Sequence, residues 1–248
     1  MRNESYLQRL ATGVLLGLVL VVLSTLSSFG QTDSRADDAF PVAEGTYWIY
    51  RGVVRSGGSD SNQVSETKVT WKMEMRKVIR RPDVTAFIVN GFPAQLNWSD
   101  ATATPEDSLI IQTHDKKLYQ IDAPALATAL KRLGDPTDNL VGLWTDDDLF
   151  LELPLRKGRK FCDAESMARD DGMYCWFVDS SQLASFDNVK GAPPGCRNVF
   201  TLRYMTNPDD TEFDFAPGLG ITSYSYHHHG TVADTEVTLA EFHLGGGQ

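Results

Sequence analysis

Hydrophobic and polar residues alternate with a period of two along most of the chain from residue 40 onward. The clearest case is the segment 68–76, where valine, tryptophan and two methionines occupy every second position between charged and hydroxyl side chains. One apolar and one polar face are typical of a strand in an antiparallel sheet with one buried side. The same period, interrupted by turn residues, predicts further strands at 46–55, 84–90, 108–113, 117–121, 148–155, 173–179, 199–205, 212–215, 221–229 and 235–244.

One segment has helical spacing instead. Asp122 is a candidate cap for a helix over residues 124–133, in which Leu126 and Leu130 share a face, and Gly134 follows as a stop signal. Strands and helices do not alternate along the chain, and neither heptads nor internal repeats occur. We therefore predict an all-β fold with one or two short helices, in which about ten strands form a single strongly curved antiparallel sheet, a half-barrel or a barrel.

The first thirty residues have the pattern of an export signal. Two arginines precede an uncharged run from residue 10 through residue 30 that is rich in leucine, valine and alanine. We predict a signal peptide over 1–30, a flexible spacer over 31–39 and a single β domain over 40–248. The run is also long enough for an uncleaved membrane anchor, which is the alternative. Either reading places the domain outside the cytoplasm, in the periplasm or the extracellular space, or anchored to the membrane.

Charge excludes one class of partner. The chain has 23 basic and 33 acidic residues, and without residues 1–30 it has 21 and 32, a net charge of −11. An acidic domain offers no electrostatic attraction to a phosphate backbone, so no nucleic-acid partner is predicted. The acidic run Asp146–Asp148 lacks the spacing of a calcium loop and indicates solvated turn charge.

The three cysteines favour one disulfide. Cys162 and Cys175 flank a turn at residues 170–172, so a hairpin can bring them together in an oxidising compartment. Such a bridge would stabilise the fold by about 3 kcal/mol through the unfolded state. Cys196 is then left over, and its pairing with either of the other two is the alternative.

The histidines at 227–229 are the densest candidate for metal chemistry. On a strand, His227 and His229 point to the same face, and a returning strand would place Glu236 or Asp234 beside them as a third ligand. Catalytic zinc normally needs three protein ligands, and the sequence does not determine the third. The alternative is that these histidines lie partly exposed near a hairpin end and pair with threonine and glutamate.

Two segments resemble a known group of proteins. FPVAEGTYWIYRG at 40–52 and FDFAPGLGITSYSY at 213–226 resemble the G-x-x-W-x-Y opening and the A-P-G-x-G closing strand of uncharacterised bacterial secreted β-rich proteins. Those proteins are similar in outline to LolA-type lipoprotein-carrier half-barrels, in which a curved sheet wraps around a helix and holds lipid or lipoprotein. The resemblance implies a fold and an exported location, and no catalytic residue. It assigns turns to three glycines and sheet packing to four aromatic residues: Gly45, Gly218, Gly220, Trp48, Tyr50, Tyr224 and Tyr226.

These observations favour binding over catalysis. The chain has no nucleophile elbow, phosphate-binding loop, H-E-x-x-H or C-x-x-C motif, so neither a catalytic residue nor a cofactor is predicted. Trp48, Trp71, Met73 and Met75 could line an apolar cavity, although a β core also needs such residues. We expect an exported, non-enzymatic binding or scaffold domain that holds an apolar or lipidic ligand on a curved sheet. The alternatives are a metal-binding protein or metal-dependent hydrolase, and a structural module that adds its sheet edge to an envelope partner.

Overall fold

The computed structural model describes residues 40–57, 64–96 and 104–246, and its strands form one twelve-stranded antiparallel sheet. The predicted leader and spacer lie outside the described residues. The all-β fold class is confirmed. The strands are β1 (Tyr47–Gly57), β2 (Ser65–Arg80), β3 (Val84–Asn90), β4 (Asp107–Thr113), β5 (Lys117–Ile121), β6 (Leu149–Glu152), β7 (Lys160–Phe161), β8 (Trp176–Ser185), β9 (Cys196–Met205), β10 (Asp209–Ala216), β11 (Gly220–His228) and β12 (Val232–His243).

The sheet consists of two meanders joined through the first and last strands of the chain, β1 and β12. β1 to β6 follow one another across one half, β12 back to β7 across the other, and β1 pairs with β12 in the middle. The two edge strands are therefore β6 and β7, which are consecutive in the sequence. The sheet is a nearly closed barrel, and we call the gap between β6 and β7 the seam.

The junction of the two meanders needs a residue without a side chain. β1 pairs along nearly its whole length with both β2 and β12, and Gly52 lies opposite Val237. A Cβ atom at Gly52 would lie 1.8 Å from the carbonyl oxygen of Glu236. Only glycine permits this close approach of the two backbones.

Alternate residues of the strands fill the interior face. Trp48, Tyr50, Met73, Met75 and Phe87 are each at most 1% exposed and belong to one continuous apolar core. This is the pattern that the period of two predicts, with the apolar positions of β2 inside.

A helix covers the opposite face of one part of the sheet. Helix α1 (Ala123–Gly134) buries Ala129 and Leu133 against the second apolar cluster, whose members on β3 and β4 include Ala86 and Leu109. The predicted helix is confirmed to within a residue at each end. Asp122 is the N-cap residue, as predicted, but its side chain accepts a hydrogen bond from Gln120 and none from the helix.

Two differences from the predicted strands occur near the seam. The predicted strand at 173–179 begins three residues later and continues to Ser185, through polar residues that lack an alternating pattern. β7 has only two residues, too few to give a periodic signal, and the short helix α2 (Ala164–Met167) follows it. Within the described ranges, no helix is long and apolar enough to cross a membrane.

Candidate functional site

A cavity of about 430 Å³ lies at the seam. Its walls come from the segment before β6, from β7 and α2, and from the beginning of β8 and the end of β9. We call it the seam pocket. Four aromatic rings, three carboxylates and three further residues line it: Phe161, Tyr174, Trp176, Tyr204, Asp146, Asp147, Asp163, Leu149, Cys162 and Ser166.

The aromatic wall is held by ring packing. The ring centre of Trp176 lies 5.2 Å from that of Tyr204 and 4.9 Å from that of Phe213, the latter in an edge-to-face arrangement. Phe213 is buried in the main core, so the indole of Trp176 bridges the core and the pocket. A wall fixed in this way is available to a ligand without rearrangement.

A disulfide closes the seam side of the pocket. Cys162 follows β7, Cys175 precedes β8, and the structure joins them with a Cα–Cα distance of 4.9 Å. The predicted pairing is confirmed, and Cys196 is a free, exposed thiol at the start of β9. The bridge ties the two-residue β7 to β8 and thereby positions Phe161 beside Trp176, its partner in the strand pairing.

The acidic rim comes from two short helical turns. Asp146 and Asp147 are exposed in a 3-10 turn, Asp146–Asp148, whose third residue forms a capping box with Thr145. Asp163 caps α2, and its carboxylate accepts N–H bonds from Glu165 and Ser166 at 2.8 and 3.0 Å. A hydrogen bond with the Ser166 side chain is the largest cause of the lowered pKa of Asp163, followed by the backbone N–H bonds, so Asp163 is ionised at neutral pH.

The charges of the rim reach the aromatic wall. Burial is the main reason that the pKa of the Tyr204 phenol is raised, and the nearby Tyr174, Asp147 and Asp163 raise it further. Asp147 and Asp163 therefore lie close enough to Tyr204 to disfavour ionisation of its hydroxyl. The pocket combines apolar rings with a negative field.

The residues predicted to line a ligand cavity are core residues. Trp48, Trp71, Met73 and Met75 are 0 to 5% exposed. The indole N–H of Trp48 donates to the Leu219 carbonyl at 2.6 Å, and that of Trp71 donates to the Gly91 carbonyl at 2.8 Å. Side chains of the sheet thus occupy the space around these four residues.

Of the two carboxylates predicted as a third ligand, Asp234 lies beside His227 and Glu236 pairs with Arg55 instead. The ring of His227 contacts Asp234 at 3.1 Å, whereas Glu236 contacts Arg55 at 3.1 Å. His229 lies just beyond β11, and its backbone N–H donates to the Pro208 carbonyl. Among the described residues, no three His, Cys, Asp or Glu side chains form a group that could hold a metal ion.

His228 has a different partner from its neighbours. Its ring and the Tyr226 hydroxyl each contact the same oxygen of Asp209 at 2.7 Å. The hydrogen bond from Tyr226 is the largest cause of the lowered pKa of Asp209, followed by that from His228. The rings of His227 and His228 are therefore each engaged by an aspartate on a neighbouring strand.

A second cavity, of about 330 Å³, has a different composition. It lies beside the loop after α1 and is lined by one carboxylate and one aromatic ring, Asp83 and Trp144, among small and aliphatic residues. Val141 on its rim is 75% exposed. Of these two cavities, the seam pocket is the one with more rings and charges in its lining.

The sequence contains only weak signals for the seam pocket. Asp146 and Asp147 stand in a run that resembles ordinary turn charge, and Trp176 resembles a core residue. Tyr204 lies 28 residues after Trp176 in the sequence and reaches the pocket only because β8 and β9 pair. The available signal was the pair Cys162 and Cys175, which brackets the segment that forms one wall.

Comparison with known proteins gives limited information. No protein-family model and no curated protein matches the chain. Among solved structures, it is similar to a Bacteroides fragilis protein described as exported with a YmcC-like fold, at a TM-score of 0.43 and 10% identity over 84% of this chain and 99% of that one. It is also similar to a protein from Parabacteroides distasonis described as a lipoprotein, at a TM-score of 0.37 and 10% identity with the same coverage. Scores this low support no statement about the function of this chain.

Proposed function

We propose that this chain is an exported, non-enzymatic binding domain whose small ligand occupies the seam pocket. The observation that supports the proposal is the convergence of two tyrosines, one tryptophan and three carboxylates at the gap between β6 and β7. Its volume of about 430 Å³ is within the range of small-molecule sites, about 300–1,000 Å³. Loop-borne polar groups on a rigid sheet are a common construction for binding.

Two features support the exported location. The first is the charged and then apolar pattern of residues 1–30, which is typical of an export signal. The second is the Cys162–Cys175 disulfide, since such bonds persist in oxidising compartments and are rare in the cytosol. We propose the periplasm or the extracellular space as the site of action.

The seam pocket replaces the interior face of the sheet as the proposed ligand site. An apolar or lipidic ligand on that face would have to displace Trp48, Met73 and Met75 from close packing. Cores of this kind have few voids, and opening one costs several kcal/mol, on the order of 2–5 per large side chain. Lipid therefore enters the proposal as an alternative ligand that the experiment includes.

The backbone of β8 offers a second candidate function. β7 pairs only with Trp176 and Phe177, and within the described ranges no backbone group pairs with residues 179–185 on the side opposite β9. Such an edge can accept a strand from a partner. The seam pocket is the stronger candidate because rings, charges and a defined volume converge there.

A ligand screen with a blocked pocket tests the proposal. Ligand-observed NMR would compare amines, neutral sugars, carboxylates and a fatty acid against the purified protein. A Ser166→Trp variant places an indole in the pocket, and we expect it to abolish the signals of the compounds that bind there. The matched control, Val141→Trp, adds the same group at the exposed rim of the second cavity and should preserve them.

The screen separates the outcomes clearly. Compounds lost with Ser166→Trp and retained with Val141→Trp support a ligand site at the seam. A fatty acid that binds both variants equally, with no compound dependent on Ser166, would instead favour the interior face and overturn the proposal. Thermal unfolding of both variants would establish that each is folded before binding is measured.

A further inference from the structure

The carboxylates at the rim of the seam pocket differ in how they are engaged. Asp163 accepts two backbone N–H bonds as the cap of α2. For Asp146 and Asp147, the described residues supply neither a hydrogen bond to the carboxylate nor an ion pair, and both side chains are exposed at the rim. Two negative charges therefore stand at the entrance without a compensating cation from this part of the chain.

Basic residues are absent from the described lining of the pocket. Arg169 is close to the pocket in sequence but does not line it. Its guanidinium forms an ion pair with Asp171 and lies 4.9 Å from the ring centre of Tyr174. The Tyr174 ring thus already interacts with one cation of this chain. Lys160, just before Phe161, directs its ammonium towards Gly172 rather than lining the cavity.

The aromatic wall supplies the second half of a cation site. Tyrosine and tryptophan rings attract ammonium and guanidinium groups through their negative faces, and quaternary ammonium ligands are commonly held by several such rings. Trp176 and Tyr204 provide two rings, and Tyr174, which already contacts Arg169, provides a third. Asp147 and Asp163 lie close enough to act electrostatically on the Tyr204 hydroxyl. A neutral sugar could stack on these rings, but it would leave the charges of Asp146 and Asp147 unmatched, and an anion would be repelled.

We propose that the seam pocket binds a small organic cation, a primary or quaternary amine, with its charged group between the aromatic wall and the carboxylates of Asp146 and Asp147. The inference rests on the proposed function and specifies its ligand class. Binding would weaken as salt increases, because the carboxylates are exposed and salt screens their attraction.

Three probes of nearly equal size test the charge requirement. They are choline, 3,3-dimethylbutylamine and the neutral 3,3-dimethyl-1-butanol, each titrated into the purified protein by NMR. We expect at least one of the two cations to bind about tenfold more tightly than the neutral alcohol, as expected for a cation held by rings and carboxylates. Equal affinity of all three probes would overturn the inference.

Paired variants locate the effect. Asp146→Asn with Asp147→Asn should weaken binding of the cation about tenfold, since each carboxylate contributes a charge-assisted contact. The charge-matched control, Asp122→Asn with Asp179→Asn, changes two exposed aspartates outside the lining and should leave the affinity within about twofold, as expected for screened surface charges. Unchanged cation affinity in the first pair would contradict the inference.

Failure of this inference differs from failure of the proposed function. If sugars or carboxylates bind and Ser166→Trp abolishes their binding, the pocket is a ligand site and only the cation inference is wrong. If none of the probes or screened compounds binds in a manner that depends on Ser166, both are wrong.

Discussion

The side chains of Trp48 and Tyr50 join the two ends of the domain. The Trp48 indole donates to the Leu219 carbonyl, and the Tyr50 hydroxyl donates to the Ile221 carbonyl at 2.9 Å. Phe40 adds an edge-to-face contact with Phe215, 5.4 Å between ring centres. The aromatic residues of the opening segment thus bind the backbone of the closing segment, about 170 residues later in the chain.

Glycine 220 makes this contact sterically feasible. Its φ of +93° is in the left-handed region, and a Cβ atom there would lie 2.9 Å from the ring of Phe40. A side chain would therefore be strained by the backbone and would collide with the ring. The turn glycines of the closing segment and the aromatic residues of the opening segment act as one packing unit.

The buried hydroxyl of Tyr50 gives a prediction at this scale. Tyr50→Phe retains the ring but leaves the Ile221 carbonyl without its donor in the core, where burial also raises the pKa of the phenol well above its ordinary value. We expect the free energy of unfolding to fall by about 1–3 kcal/mol, the cost of an unsatisfied buried group. Urea unfolding followed by far-ultraviolet circular dichroism measures it.

The matched control is Tyr47→Phe on the same strand. The Tyr47 hydroxyl donates to a side-chain oxygen of Glu241 at 3.1 Å and is only partly buried, so water can replace it. We expect this variant to change the free energy of unfolding by less than about 0.5 kcal/mol, as for surface substitutions. Equal losses in the two variants would contradict the interpretation that burial determines the effect.

Among the elements, the weakest attachment is that of β7. It contributes two residues to the sheet and pairs with β8 only through Lys160 and Phe161. The disulfide supplies the restraint that two ladder positions cannot, because it fixes the end of β7 to the residue before β8. The wall of the seam pocket therefore depends on a covalent bond as well as on hydrogen bonding.

Removal of the disulfide is the second prediction. Cys162→Ala with Cys175→Ala should lower the free energy of unfolding by about 3 kcal/mol, since a closed loop of this length restricts the unfolded chain by that amount. Cys196→Ala removes an exposed free thiol and serves as the control, with no measurable change expected. Chemical unfolding without reductant compares the three proteins, and a loss below about 0.5 kcal/mol in the double variant would overturn the prediction.

The hydrophobic pattern predicts a strand correctly where buried residues recur with a period of two, and it misses strand structure that depends on pairing with a neighbouring strand. β2 alternates in its middle, where Trp71, Met73 and Met75 are buried between more exposed neighbours, and the prediction of this part required only the period. β8 continues through residues 179–185, which are polar except for Leu183 and Ala184 and are mostly exposed on both faces, so their strand structure depends on pairing with β9. Local hydrophobicity cannot report such pairing.

The candidate site was hidden for the same reason. Trp176 and Tyr204 become neighbours through the register of β8 and β9, and Asp146 joins them only because the two edges of the barrel meet. The disulfide could be predicted because a turn lies between its cysteines. Proximity created by closure of a sheet leaves no pattern in a single sequence.

At the scale of the whole molecule, all twelve strands of the described residues belong to one sheet, so its halves depend on each other. The terminal meanders meet at β1 and β12, and the seam lies at the midpoint of the chain order, between β6 and β7. Opening the seam would expose the pocket wall while the β1–β12 junction remained paired. The arrangement places the shortest strand pairing of the sheet, that of β7 with β8, at the candidate ligand site.

The stability of the whole molecule in acid depends on the pKa values of its carboxyl groups. The formal charge is −10, and several aspartates have a pKa below the ordinary value of 3.8. The most marked is Asp138, lowered to about 2 by its hydrogen bonds from Arg132 and from the Leu140 N–H. Five others are lowered by hydrogen bonds as well: Asp135, Asp163, Asp171, Asp187 and Asp209. Glu212 shows the opposite shift, because burial raises its pKa.

A carboxyl group whose pKa is lower in the folded than in the unfolded protein stabilises the fold fully above its unfolded value. That contribution disappears as the pH falls through the folded value, here from about 4 to about 2. Since the carboxyl groups with a lowered pKa outnumber Glu212, we expect the urea midpoint to be nearly constant from pH 7 to 5 and to fall steeply below pH 4.

The variant Asp138→Asn should be less stable than the wild type at pH 7 and should lose less stability between pH 4 and 2.5. Asp122→Asn, an exposed charge-matched control, should follow the wild-type curve. A urea midpoint that rises below pH 4 would show that relief of charge repulsion outweighs the loss of the paired aspartates. If the midpoint of Asp138→Asn falls below pH 4 as steeply as that of the wild type, the ion pair of Asp138 with Arg132 does not contribute to the acid sensitivity.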